Sequence, residues 1–481
     1  MPGIAAQADV DELKGLFWHG SVALPGEKEY VAACHTFSVP YGKGKPAPEV
    51  AVRPRDIKEV CDTVTWSRKH GKTVSVKGAG HGIHMQALRG DVLIDLSHFK
   101  YCSVDPKAQT AVVGGGCDLG DIDRATGAFG LSLPLGTAPV TGMGLALHGG
   151  VGFLSNKFGP TCEHIVGATI VDADGRVIHV DEDDDAHADL LWALRGTGSF
   201  YGVVCEVKFQ LHRVRPWGGL IVVPDVDGNL DRLKPVVKMM LEMREREDDV
   251  TLMLFVGVDP EKGRAIQVCL ADVSDRSDAE NKERYEALTA MAVDGGFKRQ
   301  PMADIQNVLM PVLSKLPPLH QYWGCTSLPH HKMAALAETG VDHFVETVDA
   351  ELKAIDFAQA PVTLFIIEVH VDYAATGKRV TGPHNLGAQG LATVSLLGSP
   401  VEEHGQYCQA QARKFKKALE DKCAFGNSDY ANYAEIDGLA GRARAEARVG
   451  GHANAERVRA VKKKYDPDNV FRFTPHSALL E

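Results

Sequence analysis

Val74-Ser-Val-Lys-Gly-Ala-Gly-His81-Gly82 is a short alternating strand running into a glycine-dense loop that carries one histidine. Glycines leave the backbone N–H groups of such a loop bare, so they can crowd against a phosphate with no side chain in the way. Two more glycine clusters follow, Gly142-Met-Gly144 through His148-Gly149-Gly150-Val-Gly152, and Gly196-Thr-Gly198-Ser-Phe-Tyr-Gly202. Three clusters within about 130 residues predict one extended, backbone-lined groove for a long anionic cofactor. Just upstream, Asp56-Ile-Lys-Glu59 reads as a capping box. Ile57, Val60, Cys61 and Val64 follow at helical spacing, and Gly71 is a stop. The histidine loop therefore lies directly after a helix and the strand Thr73–Lys77. Asp118–Gly127 reads as a further short helix.

The rest of the chain narrows the class. At 481 residues, two domains or an interrupted one are expected. Composition is that of an ordinary globule, 44% apolar and 24% charged. The 52 Lys and Arg against 63 Asp and Glu give a net charge of −11, which argues against nucleic acid and anionic membrane as partners. No apolar run reaches bilayer length, and the N-terminus lacks the basic start and apolar stretch of a secretory signal, so a cytoplasmic location is expected ahead of a mature chain whose signal has been removed. Ten cysteines stand singly with no C-x-x-C, reading as reduced core thiols, and no metal site is expected. The acidic run 181–185 reads as a solvated helix start rather than a calcium loop. Phosphate-loop, zincin and serine-hydrolase motifs find no anchor.

After about Val214 the pattern changes to antiparallel strands with interposed helices. Leu220–Val223, Thr251–Val258 and Ala265–Leu270 read as strands, Asp275–Leu288 and Lys332–Ala354 as helical, and Glu403–Lys422 as an amphipathic helix. The segment Thr363–Tyr373 alternates. Phe365, Ile367, Val369 and Val371 point one way, and Leu364, Ile366, Glu368, His370 and Asp372 the other. That face suits either a sheet roofing a polar pocket or an exposed sheet surface. Leu391–Leu397 reads as its partner strand.

From Pro48 to Val214 the order of motifs resembles the FAD-binding domain of the vanillyl-alcohol oxidase (PCMH-type) superfamily, and more closely its berberine-bridge-enzyme-like branch. Val50–Val60 resembles the first strand and helix, and Lys77-Gly-Ala-Gly-His81 the (R/K)-x-G-G-H loop. Asp91–Leu96 and Ala111–Gly116 resemble the next strands, Gly175 closes the family's turn, and Arg195–Val204 resembles R-G-x-G-x-x-F-G-(I/V)-V. At the other end Tyr430-Ala-Asn-Tyr433 and Tyr465-Asp-Pro-Asp-Asn-Val-Phe471 resemble the closing Y-x-N-Y and D-P-x-N-x-F signatures.

The resemblance implies an α+β fold: a two-part FAD-binding domain, 1–214 and 426–481, with a substrate domain, 215–425, inserted on an antiparallel sheet flanked by helices. It implies FAD held by Lys77, Gly78, Ala79, Gly80, His81, Gly82, Thr137, Ala138, Thr141, Gly142, Gly144, Gly149, Gly150, Gly198, Gly202, Val203, Tyr430, Asn432 and Asn469. His81 is the implied 8α-histidyl tether, with His84 as competitor. Many relatives add a cysteinyl bond from G-x-C-P, but the matching segment is Gly136-Thr-Ala138-Pro139, so no cysteinyl bond is expected. In the family's Y-x-N-Y strand the second tyrosine serves as base, here Tyr433. A phenol titrates near pH 10, so that role calls for a nearby cation or acceptor network. Glu368 and His370 are the other candidates, and His384 weakly matches a P-H-R site. Met143 stands where a smaller residue flanks the flavin's oxygen side, which leaves open dioxygen or another electron acceptor.

The function implied is an FAD-dependent oxidation of an alcohol, hydroxylated ring or amine, by hydride transfer to the flavin with a base removing a proton. The alternatives are a flavin dehydrogenase for a sugar lactone or hydroxy acid, and a flavin-loaded cyclase with no net redox step.

Overall fold

A computed structural model describes residues 7–40, 42, 45–83, 85–246, 249–259, 263–310, 316–373, 375–378, 380–388, 390–428, 430–433 and 441–480. The fold is mixed α+β, built on three main sheets. The first has four strands in the order Ser21–Ala23, Val50–Arg53, Val92–Asp95, Val74–Lys77. The last three run parallel, joined through the helix Ile57–Lys69. Strands covered on both faces read as near-continuous apolar runs, and Val92–Asp95 is buried at every position, its one charge, Asp95, paired with Arg53 and Lys77. Asp56 caps the helix by accepting from the Glu59 amide. Only half of the expected box forms, because the Glu59 carboxylate accepts instead from the amides of Trp18, His19, Gly20 and Arg55. The second sheet is antiparallel, ordered Cys102–Asp105, Thr110–Gly114, Gly202–Gln210, Ile165–Asp172, Val177–Asp181.

The third sheet is antiparallel with eight strands. Its order is Asp294–Arg299, Trp217–Pro224, Gly263–Asp272, Val250–Asp259, Val362–Val369, Leu391–Ser399, His320–Leu328, Gly426–Asn427. One face packs under the helices Leu233–Arg246, Val341–Lys353 and Gly405–Cys423, with Phe365, Ile367 and Val369 in that core. The other face meets the first part of the chain. Phe255, Trp323, Ile366 and Leu396 form a common core there with Ile83, Phe153 and Leu154. Asn156, 3% exposed, pins the two parts together. Its Nδ2 donates to the carbonyls of Val250 (3.2 Å) and Val369 (3.3 Å), and its Oδ1 accepts from Val371 N–H at 3.1 Å.

Several strands escaped the sequence reading, among them two members of the eight-stranded sheet. Asp294–Arg299 is short, charged and glycine-bearing, and His320–Leu328 is buried at all positions and so shows no alternation. The segment Tyr430–Tyr433, expected as a strand, is a turn in which Tyr433 N–H donates to Tyr430 C=O at 2.9 Å. Among the described residues no helix is long and apolar enough to cross a membrane.

Candidate active site

A cleft of about 260 Å³ runs between the glycine loops and the open face of the eight-stranded sheet. Lys77, Gly78, Ala79, Gly80, His81, Gly82, Thr137, Ala138, Thr141, Gly142, Gly144, Glu368, Tyr430, Asn432 and Tyr433 all line it. The glycines are needed because backbones meet. A Cβ on Gly142 would lie 2.5 Å from the Ala79 nitrogen, and one on Gly78 2.8 Å from the Gly115 carbonyl. Gly144 differs: a Cβ there meets nothing within 4 Å and would project into open space, as expected for a wall built to receive a flat ligand closely.

Gly149, Gly150, Gly198, Gly202, Val203 and Asn469, also expected at the cofactor, are not among the residues lining the cleft. Gly149 and Gly150 hold positive φ of 119° and 86°, bending the loop toward the turn that carries Tyr430. A Cβ on Gly198 would strike the Leu147 side chain, and one on Gly202 the Val171 carbonyl. Val203 is buried in the core of the first sheet, and Asn469 takes the left-handed φ of 54° in the turn closed by Asp466. His84 lies outside the described residues.

The C-terminal turn grips the second glycine cluster. The Tyr430 hydroxyl accepts from Gly150 N–H at 3.1 Å and from Asn432 Nδ2 at 2.9 Å, while Asn432 also donates to the Leu145 carbonyl at 3.1 Å. His81 stacks on Phe37 at 4.1 Å and presents an edge to Trp323 at 6.4 Å. Its Nε2 is buried with no hydrogen-bond partner, and burial pushes the imidazole down to about 4, so it is neutral at pH 7. A neutral, unpartnered ring nitrogen beside a glycine cradle fits a histidyl flavin tether. No cysteine is among the described residues lining the cleft, and Ala138 is part of its wall.

At the sheet end of the cleft, Glu368 is 2% exposed. The Tyr433 hydroxyl donates to its Oε1 at 3.1 Å and approaches Oε2 at 3.3 Å. His370 Nε2 stands 3.4 Å from Oε2, behind the carboxylate rather than in the cleft wall. Of the cation or acceptor network expected beside Tyr433, the hydroxyl meets an acceptor, the Glu368 carboxylate. Burial, then the Glu368 charge, hold its phenol well above the ordinary range.

Two further expectations change. Met143 is buried in the core behind the loop and does not line the cleft, so it does not crowd the cofactor face; Leu145 reaches both. His384 does not line it either. Its Nε2 stands 2.8 Å from Glu163, which also accepts from the Thr381 amide and hydroxyl and the Gly382 amide. Burial opposes the charge there, but His384 and these donors outweigh it and hold the Glu163 carboxyl at about 2. Cys162, Glu163 and His384 offer ligand atoms within 4.8 Å of one another, but this carboxylate is already fully engaged. The cleft also includes Gln86, His148, Ser199 and Trp323, none of which the motifs singled out. His148 Nε2 lies 2.7 Å from the Ser199 hydroxyl, and burial pushes the ring down to about 4.

Comparison with known proteins agrees with this geometry. Residues 48–181 match the FAD binding domain family, and 429–476 the berberine and berberine like family. The chain is 32% identical over 485 residues to (R)-6-hydroxynicotine oxidase of Paenarthrobacter nicotinovorans, spanning 94% of this chain and 95% of that protein. The crystal structure of 6-hydroxy-D-nicotine oxidase from Arthrobacter nicotinovorans superposes with a TM-score of 0.80 at 25% identity, covering 95% of this chain and 98% of that one. The Physcomitrella patens BBE-like 1 structure shares the fold, with a TM-score of 0.77 at 21% identity, covering 98% of this chain and 99% of that one.

Proposed function

The chain belongs to the berberine-bridge-like FAD-linked oxidoreductases, and from that premise we propose that it oxidises a compact, largely apolar amine or hydroxylated ring with Glu368 as the base. The observation that carries this reading is the buried Tyr433–Glu368 pair, 3.1 Å apart on the cleft wall. Bound FAD supplies the acceptor for a hydride. His81 offers a neutral nitrogen for its covalent attachment, and Ala138 offers no thiol for a second bond. Glu368 Oε1 receives the proton that leaves the substrate nitrogen or oxygen. Tyr433 stays protonated throughout and donates to the carboxylate, fixing its orientation, while His370 backs the other oxygen.

The walls around Glu368 narrow the substrate. Phe255, Trp323, Leu364, Ile366 and Leu396 are apolar or aromatic, and the Trp323 indole N–H is taken by Gln321 at 3.2 Å. An oligosaccharide needs many polar partners, and few are offered here. A hydroxy acid would bring a second negative charge beside a buried carboxylate. The one lysine among the described cleft residues, Lys77, is committed to Asp95 at 3.3 Å. A planar or alicyclic amine or a hydroxylated heterocycle suits the site better. Dioxygen or another acceptor completes the cycle.

The test is anaerobic mixing of the holoenzyme with secondary amines, hydroxylated aromatic rings, oligosaccharides and 2-hydroxy acids, following flavin absorbance. Bleaching by the first two groups is expected. Bleaching confined to sugars or hydroxy acids would overturn the proposal, and product formation with the flavin oxidised throughout would make the protein a cyclase.

A further inference from the structure

Gly80 and Gly82 flank His81 and give its ring no side chain to pack on, so its direction is set by groups from other parts of the chain. Phe37 stacks on it at 4.1 Å, with the two rings 10° from parallel, and Trp323 stands near-perpendicular to it at 6.4 Å. Both aromatic rings line the cleft with His81. The Phe37 amide donates to the Gly80 carbonyl at 2.9 Å, which fastens the stacked ring to the loop that carries the histidine.

One side chain joins the two aromatic rings from outside the cleft wall. Gln321, 1% exposed, donates from Nε2 to the Phe37 carbonyl at 3.1 Å and accepts the Trp323 indole N–H on Oε1 at 3.2 Å. Only one orientation of the amide serves both. Turned over, it would set a donor against the indole donor and an oxygen against the Phe37 carbonyl. Gln321 lies on His320–Leu328 of the eight-stranded sheet, while Phe37 belongs to the first part of the chain, where Val39 N–H also donates to the Leu319 carbonyl at 2.8 Å. Gly80, Phe37, Gln321 and Trp323 thus form a bracket around the imidazole, closed by one amide.

We propose that Gln321 is a positioning residue for the covalent attachment of FAD: its amide sets Phe37 and Trp323, and through them the His81 ring that bonds to the flavin. The proposal rests on the reading of His81 as the tether. Attachment joins an imidazole nitrogen to the 8α carbon. One N–H and one C–H bond break, the released electron pair and two protons reduce the flavin, and the electron acceptor, dioxygen or another, reoxidises it. Such a bond forms only from a near-attack geometry, which a freely turning imidazole seldom reaches. Without the amide, the indole N–H would be buried with no acceptor and the Phe37 carbonyl would lose its donor, so both rings would shift. The glycine loops would still hold FAD.

Gln321→Met keeps the length and loses both hydrogen bonds. Gln321→Glu is switchable: a neutral carboxyl offers one donor and one acceptor, as the amide does, whereas a carboxylate offers no donor to the Phe37 carbonyl. Each full-length holoprotein is purified at pH 8, and acid precipitation splits its flavin into removable and retained fractions. Mostly retained flavin is expected in the wild type. In both variants total flavin and Tm should hold, while the retained fraction falls at least fivefold. Moved to pH 5.5 with an acceptor present, Gln321→Glu should convert removable to retained flavin at least fivefold faster than Gln321→Met. A Gln321→Met protein that retains flavin like the wild type would overturn the proposal. So would a loss of total flavin with the remainder fully retained, or equal conversion by the two variants at pH 5.5. Should Gln321→Met not fold, the conversion rate of Gln321→Glu at pH 5.5 against pH 8 decides. Fully removable flavin in the wild type would instead mark the failure of the tether itself, and the proposal would fall with it.

Discussion

Replacing Tyr433 by Phe and Glu368 by Gln separates the proton acceptor from the group that orients it. The phenol donates one hydrogen bond to a carboxylate, and a bond to a charged partner contributes about 1.5–3 kcal/mol. Its loss should slow the reductive half-reaction by roughly 10- to 150-fold if the full bond is felt in the transition state. Removing a general base costs more, about 10²- to 10⁴-fold. The phenyl ring left by Tyr433→Phe would keep the contacts of the native ring, whose centroid lies 6.1 Å from Trp323 and 4.7 Å from Tyr430, so flavin content and Tm should hold. The assay is anaerobic stopped-flow flavin reduction from pH 5 to 10.5. Because burial and the Glu368 charge hold the phenol well above its ordinary range, the wild-type rate should show no rise through the phenol range. A Tyr433→Phe protein slower than Glu368→Gln, together with an alkaline rise lost only in Tyr433→Phe, would return the base role to the tyrosine and refute the electrostatic argument.

Three other outcomes are expected. Wild-type flavin should stay with acid-precipitated protein and be released from His81→Ala; full extraction from the wild type would remove the tether while leaving FAD binding intact. The Glu163 carboxyl drops from an ordinary 4.5 to about 2, which is about 3.5 kcal/mol at about 1.4 per unit. A lowered carboxyl stabilises above its unfolded value, so the advantage of wild type over Glu163→Gln in urea melts should be full above pH 4.5 and vanish toward pH 2. A gap that does not narrow would refute it. Asn156→Ala, which unties Val369 and Val371 on either side of His370, should lower kcat at least tenfold with flavin content kept; an unchanged kcat would show that the sheet end is positioned without it.

The motifs were most legible where backbone geometry dictates residue type. Glycine at 78, 80, 142 and 144 is required by close approach, positive φ or an open wall, so the loops announced themselves. Alternation placed Leu364, Ile366 and Glu368 on the cleft face because one side of that strand packs under helices and the other does not. Residues whose role depends on partners far along the chain were not legible. Asn156 is an ordinary polar residue until three backbone groups from two distant strands meet it, and Trp323 sits in a strand with no polar alternation to betray its face. Met143 failed for a related reason. Neighbours in a tight loop point to opposite sides, and spacing alone does not say which faces the cofactor.

The grip of Tyr430 and Asn432 on the loop 145–150 spans some 280 residues of chain. A ribosome has made the 429 residues that precede Tyr430 before these two side chains exist. The earlier glycine loops can fold and pack well before then, but the wall they form stays unbraced until the final segment returns. A product arrested ahead of Tyr430 is expected to carry most of the cleft's glycine loops and to hold flavin less firmly than one that includes this turn.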